Sequence, residues 1–289
     1  MDFKTFIDAA WEDHANDAAA VAHRLAEGIP LLGDESQLNQ LMNLAHHVYG
    51  EHLGEWRGGI AFVERVSALP TFVPDGASGQ ARTRCLASLR MSQGSGVELG
   101  TLSPSDRIRV GAMAASNLGE RDTARASRLL QDALDLAQGS GLPPTDPMNR
   151  ALAVTGNSLA CALEVKPTRS ADQRALMILA AQTARCYWAI AGTWLETERA
   201  EYRLANTWRQ AGDLGRARGH AQACLEIVAA NDGPALERLF GWEALGLVER
   251  AAGNAAGHAQ ALSRAREAFA ALAESDKGWC AASLEKLAA

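Results

Sequence analysis

The sequence lacks long apolar runs, an excess of basic residues and any sustained alternation of β-branched residues. No stretch approaches the ~18–20 apolar residues that span a bilayer, so we expect no membrane contact. The formal net charge of −6 argues against a nucleic-acid partner, because non-specific phosphate binding requires a basic surface. The residues after Met1 lack a basic segment followed by an apolar one, so no signal peptide is expected.

Cysteine pairs and catalytic motifs are lacking as well. The five cysteines are widely spaced and form no Cys-x-x-Cys pair, which is typical of free thiols in a reducing compartment. There is no Gly-x-Ser-x-Gly and no His-Glu-x-x-His sequence, and no Gly-Lys-Ser/Thr follows the Gly-Ser-Gly sequences at 94–96 and 139–141. We therefore expect a cytoplasmic protein that is not an enzyme and has no cofactor.

Helix-forming residues are abundant. Hydrophobic residues make up 47% of the chain, and alanine, the residue with the highest helix propensity, dominates them. Apolar residues recur at intervals of three and four along nearly the whole chain, which predicts an all-α protein of about thirteen helices, with residues 2–27 as a single first helix. Short connections imply antiparallel neighbours. Ser103 before Pro104, Ser170 with Gln173 and Thr193 with Glu196 are typical helix starts.

One spacing recurs along the predicted helix pairs: a small residue within the first helix, a glycine at the turn and an alanine early in the second helix. The segment Trp242–Gly246 with Gly253 repeats the first half of this pattern. The two full copies have intervals of seven and five residues (112 to 119 to 124, and 205 to 212 to 217) and consist of Ala112, Gly119 and Ala124, and of Ala205, Gly212 and Ala217.

This pattern resembles the tetratricopeptide repeat, in which small residues lie where paired helices cross. The resemblance is best over 104–273 and implies that 1–289 forms one right-handed α-α superhelix. The turn glycines Gly212 and Gly253 are 41 residues apart (253 − 212) rather than ~34, so the array is irregular. A generic all-α bundle is the alternative. The Gly- and Ser-rich segments 92–103 and 139–146 are possible internal hinges.

The resemblance also implies a binding surface, because the first helix of each tetratricopeptide pair lines a concave groove. Asparagine can pair with a peptide backbone, and arginine with carboxylates. We therefore expect a scaffold that binds a partner peptide or an acidic segment. Alternatively, the arginines pair with Glu196, Glu198 and Glu201 on a solvated helix surface. The groove candidates are Arg109, Arg150, Asn157, Arg199, Tyr202, Arg203, Asn206, Arg209 and Arg250.

Two further hypotheses stay open. The Ala-rich outer helices or the terminal helices could form a homo-oligomerisation module, for example in a homodimer. A small-molecule or metal-responsive regulator could use the cluster of His46, His47, Tyr49, Glu51 and His52, in which His47 and Glu51 are one helical turn apart. A metal would need further ligands from elsewhere in the chain, so no metal is expected from this cluster by itself.

Overall fold

The computed structural model describes residues 1–289 and is entirely helical, which confirms the predicted all-α class. It contains fourteen α-helices rather than about thirteen, together with two 3₁₀-helices (Leu25–Leu31 and Leu99–Thr101) and a π-helix (His47–Leu53). No helix is both long and apolar enough to cross a membrane. The helices are α1 (Phe3–Asp13), α2 (Ala18–Arg24), α3 (Glu35–His46), α4 (Trp56–Val66), α5 (Ala77–Gln93), α6 (Pro104–Leu118), α7 (Thr123–Gly139), α8 (Pro147–Glu164), α9 (Ala171–Ala191), α10 (Trp194–Ala211), α11 (Leu214–Ala230), α12 (Ala235–Ala251), α13 (Ala255–Ala270) and α14 (Glu274–Ala288).

The chain divides into two compact units, Met1–Leu142 and Pro143–Ala289. The boundary falls within the segment 139–146, whose glycines and prolines interrupt the helical pattern. Movement about this segment, and about 92–103, stays a prediction. The first unit contains α1 to α7 and the second contains α8 to α14.

Helix starts follow the local sequence. Ser170 and Thr193 each form a complete capping box, in which the side chain of the cap residue and that of the third helical residue bond to each other's backbone N–H. Ser103 accepts a hydrogen bond from the backbone N–H of Asp106 at 3.1 Å, with Pro104 in the first helical turn. Gly212 ends α10 at φ +89°, a left-handed conformation that favours glycine.

The predicted single helix over 2–27 is wrong. Helix α1 ends at Asp13, and α2 begins at Ala18 because Asp17 accepts a hydrogen bond from the backbone N–H of Ala20 at 2.9 Å. Aspartate competes for backbone donors in this way and so favours helix caps over helix interiors.

Aligning the two copies of the repeat pattern on their turn glycines also gave the wrong equivalent residue for Ala217. Ala217 is buried, but Ala124, which that alignment makes equivalent to it, is exposed. The caps show why: Asp213 follows Gly212 directly, whereas Asp122 lies three residues beyond Gly119. Counted from these caps, Ala126 is the buried residue equivalent to Ala217.

In the second unit, sequential helices pack as the pairs α8/α9, α10/α11 and α12/α13. The first members of these pairs also contact one another in order, α8 with α10 and α10 with α12, and α12 contacts α14. Small side chains permit this packing, since Ala205, Ala221 and Ala244 form one buried cluster. Helices α8, α10, α12 and α14 therefore form a continuous row.

In the first unit, helix α5 packs against α3, α4 and α6. Leu38, Leu41, Leu44 and Val63 are fully buried in the same hydrophobic core as the side chains of α1.

Candidate functional site

A cavity of about 460 Å³ opens along the row of helices α8, α10, α12 and α14 in the second unit. Four of the nine predicted groove residues line it, and all of its lining lies within this one unit. Helix α10 contributes half of the lining residues, and α8, α9, α12 and α14 supply the rest. The lining consists of Asn157, Trp188, Glu196, Glu198, Arg199, Ala200, Tyr202, Arg203, Leu236, Glu237, Phe240 and Trp279.

Aromatic rings form one side of the cavity. Phe240 stacks on Trp279 with centroids 5.7 Å apart, and Tyr202 meets Phe240 edge-on at 5.8 Å. Trp279 is 57% exposed, a large fraction for a side chain of this size. An exposed tryptophan beside two other rings provides apolar contact area at a low cost in side-chain entropy.

The two arginines of the cavity are engaged in ion pairs between helices. Arg199 of α10 pairs with Glu237 of α12, and Arg203 of α10 pairs with Glu164 of α8, each at 2.5 Å. The glutamates of both pairs are nearly buried, with side-chain exposures of 5% and 7%. The lining therefore carries two arginines and three glutamates, so its charge is not positive.

These ion pairs differ from the alternative in which the arginines pair with Glu196, Glu198 and Glu201 on a solvated helix surface. Glu196 instead closes the capping box with Thr193. Glu201 is buried and bonds to Arg185 and His220. Sequence spacing within α10 could not indicate the observed partners, because Glu237 is 38 residues from Arg199 in sequence and Glu164 is 39 residues from Arg203.

Glu198 is the third expected partner, and it lies in the cavity wall at only 1% exposure. The thiol of Cys224 donates a hydrogen bond to its Oε1 at 2.7 Å, whereas its buried Oε2 has no hydrogen-bond partner within the protein. Burial, and then the negative charge of Glu237, raise the pKa of Glu198 to about 7, against the opposing hydrogen bond from Cys224. Sequence reasoning missed Glu198 as a functional candidate and placed it on the surface.

The remaining groove candidates make other contacts. Arg150 lies over the ring of Trp188 at 5.1 Å, beside the cavity. Asn206 is buried; it donates to the carbonyl of Tyr202 and accepts from Arg209, so its amide stabilises α10 itself. Arg250 donates to backbone carbonyls of α14. Arg109 lies on α6 in the first unit, 3.7 Å from Asp106.

The histidine-rich segment 46–52 is divided in the structure. His46 is buried and lies 2.8 Å from the hydroxyl of Ser88, and burial lowers its pKa to about 4. His47 and His52 lie together on the π-helix, away from this buried contact, and their rings meet at 4.7 Å. His46 therefore does not belong with the other two.

No protein-family model matches the chain, and no curated protein sequence matches it. Membership of the tetratricopeptide family accordingly stays a prediction.

Proposed function

We propose that the second unit binds an extended peptide segment of a partner protein in the cavity on α8, α10, α12 and α14. The protein would act as a non-enzymatic scaffold built from tetratricopeptide-like helix pairs in a superhelical array. The observation that carries this proposal is the cavity of about 460 Å³ that brings Asn157, Arg199, Tyr202 and Arg203 together with an aromatic wall. Its volume lies in the range of ~300–1,000 Å³ that is usual for ligand pockets.

The cavity favours a peptide with a large apolar or aromatic side chain over an acidic segment. Trp188, Phe240 and Trp279 offer apolar surface, and such rings dominate the energetics of many binding sites. Arg199 and Arg203 already pair with glutamates, so a ligand carboxylate would have to compete for them. The amide of Asn157 lines the cavity and is available to the peptide backbone.

Selection from a random dodecapeptide library displayed on phage, against the full chain, tests this proposal. We expect the enriched peptides to share a Trp, Phe or Leu anchor. Synthetic copies should bind Trp279→Ala at least ~10-fold more weakly, since loss of a central aromatic contact typically costs ~2 kcal/mol. Asn157→Ala should weaken binding by about 3–10-fold, the equivalent of one neutral hydrogen bond.

The matched control is Val165→Ala, because Val165 is 81% exposed and does not line the cavity. Its affinity should equal that of the unmodified chain. The proposal fails if no peptide is enriched, or if the enriched peptides bind Trp279→Ala and Asn157→Ala with unchanged affinity.

A further inference from the structure

Three histidines of the first unit meet at one point. His14 is the C-cap residue of α1, and His47 and His52 belong to the π-helix. One ring nitrogen of each lies within 4.8 Å of the others, and Nε2 of His47 lies 3.1 Å from Nε2 of His52. The distances between ring centroids are 4.7, 4.9 and 5.0 Å. We call His14, His47 and His52 the histidine triad.

The π-helix makes this convergence possible. In an α-helix, residues five apart point about 140° away from each other. In a π-helix the backbone hydrogen bond runs between residues five apart, so His52 lies one turn above His47. Single π-turns occur frequently at functional sites. His14, from a separate helix, completes the set.

Neighbouring acceptors orient two of the three rings. Nδ1 of His47 lies 3.1 Å from the carboxylate of Glu51, which in turn accepts a hydrogen bond from Ser116 at 2.8 Å. Nδ1 of His14 bonds to the backbone carbonyl of Trp11. A proton on each Nδ1 leaves a lone pair on Nε2. On His47 this lone pair faces Nε2 of His52 at 3.1 Å, and a metal ion would take the place of that contact, as in metal sites where a carboxylate or carbonyl bonds to the other nitrogen of the imidazole.

We infer that the histidine triad binds a divalent transition-metal ion, with Zn²⁺ as the ion that three imidazoles and an open fourth position fit best. Imidazole is a preferred ligand of zinc, and tetrahedral geometry with bonds of ~2.0–2.1 Å places neighbouring nitrogens about 3.3 Å apart. His52 is exposed, so solvent can reach the fourth position. The ion would join the end of α1 to the π-helix.

One cation stands against metal binding. Arg121 donates hydrogen bonds of 2.8 Å to the backbone carbonyls of Glu51 and His52. The carboxylate of Glu51 offsets this positive charge next to His47. Contact between the rings and Trp11, whose centroid lies 5.3 Å from that of His47, is the competing explanation for the cluster and predicts no metal affinity.

Zinc titration of the full chain, after removal of any histidine tag, tests the inference. Competition with a chromophoric zinc chelator should show one Zn²⁺ per chain. His52→Ala, at an exposed position, should bind at least ~100-fold more weakly, because loss of a supporting partner alone costs ~10–100-fold. Glu51→Gln, which removes such a supporting partner, should bind Zn²⁺ ~10–100-fold more weakly than the unmodified chain. His23→Ala, at an exposed histidine outside the triad, is the matched control and should bind like the unmodified chain.

A second readout does not depend on the chelator. Saturating Zn²⁺ should raise the melting temperature of the unmodified chain and of His23→Ala, because an ion that binds only the folded state stabilises it. The melting temperature of His52→Ala should be the same with and without Zn²⁺. The inference is overturned if the unmodified chain shows no stoichiometric zinc binding, or if His23→Ala loses as much affinity as His52→Ala.

Discussion

Gly156 lies where helices α8 and α9 approach each other closely. A Cβ atom added there would come 2.5 Å from the backbone oxygen of Ala180 and 2.7 Å from the backbone nitrogen of Ala184. Both atoms are backbone, so one helix would have to shift. We expect Gly156→Ala to lower the free energy of unfolding by about 1–3 kcal/mol, the usual cost of overpacking.

Gly219 is the matched control for this substitution. It lies in α11, is exposed, and has nothing within 4 Å of an added Cβ. Gly219→Ala should raise the free energy of unfolding by about 0.5–1 kcal/mol, because alanine is the better helix former. Urea denaturation followed by circular dichroism measures both changes, and equal effects in the two variants would contradict the close approach at Gly156.

Glu198 predicts a pH dependence of stability. Its pKa of about 7 in the folded chain lies above the ordinary 4.5, so the folded state holds the proton more strongly than the unfolded state does. The stability that this protonation supplies is complete below about pH 4.5 and is lost as the pH rises through 7. Glu237 of α12 and Cys224 of α11 face this carboxyl, and Arg199 is its charged neighbour on α10.

Glu198→Gln keeps a neutral side chain at every pH. Between about pH 5 and pH 8 the unmodified chain should lose about 2 kcal/mol more stability than Glu198→Gln does. Chemical denaturation across this pH range measures the difference. Glu226→Gln, at an exposed glutamate of α11, should follow the unmodified chain. Parallel pH profiles for Glu198→Gln and the unmodified chain would show that Glu198 is ionised in the folded protein.

At the scale of helices, α10 is tied to α8 by charge as well as by packing. Glu164 of α8 accepts hydrogen bonds from Arg203 and from the hydroxyl of Thr207, each at 2.5 Å. We expect Glu164→Ala to cost about 2–4 kcal/mol, because it leaves the largely buried Arg203 without its counter-ion. The double variant with Arg203→Ala should cost less than the sum of the single variants, with an interaction energy of at least ~1 kcal/mol.

A surface pair supplies the comparison. Lys4 and Asp8 are one helical turn apart, with side-chain exposures of 83% and 54%. The same double-mutant cycle on them should give less than about 0.5 kcal/mol. If the interaction energy between Glu164 and Arg203 is no larger than this, the ion pair does not stabilise the packing of α8 against α10.

The elements that sequence predicts well are those that short-range chemistry determines. Ser170 and Thr193 define helix starts through bonds that span three residues, and Gly212 ends α10 at the position where its φ of +89° favours glycine. The π-helix could not be predicted from local sequence in this way. Within it, Gly50 packs against the side chain of Asn117 from α6, a helix distant in sequence. No local pattern contains that contact.

The same distinction holds for the two candidate sites. Register along α10 was enough to predict that Arg199, Tyr202 and Arg203 share a face. It could not predict that α12 and α8 supply their glutamates, or that Glu198 is buried. Likewise, sequence placed His47 and His52 in one cluster, but residues five apart do not share a face of an α-helix, and nothing near them in sequence indicated His14. Sequence thus predicted faces of single helices, and tertiary contacts determined what those faces meet.

For the whole molecule, the division at Leu142 and Pro143 predicts that the second unit folds by itself. Helices α8 to α14 include their own buried core, and the most extensive helix pairing in the chain, α8 with α9, is internal to this unit. We expect residues 143–289, expressed alone, to be helical and to unfold in one cooperative transition, as compact domains do.

A shorter fragment shows whether the boundary matters. Residues 166–289 lack α8, so α9 loses the helix against which it packs most extensively, and with it the buried side chains of Leu152, Leu159 and Leu163. Each buried leucine contributes roughly 1.5–3 kcal/mol of hydrophobic stabilisation, so the fragment without α8 should melt at a much lower temperature or without a cooperative transition. Thermal unfolding followed by circular dichroism at 222 nm compares the two fragments. Similar melting curves would mean that stability is distributed evenly along the helices, as in a repeat array whose stability is a sum of local terms. The division at 142–143 would then have no thermodynamic meaning.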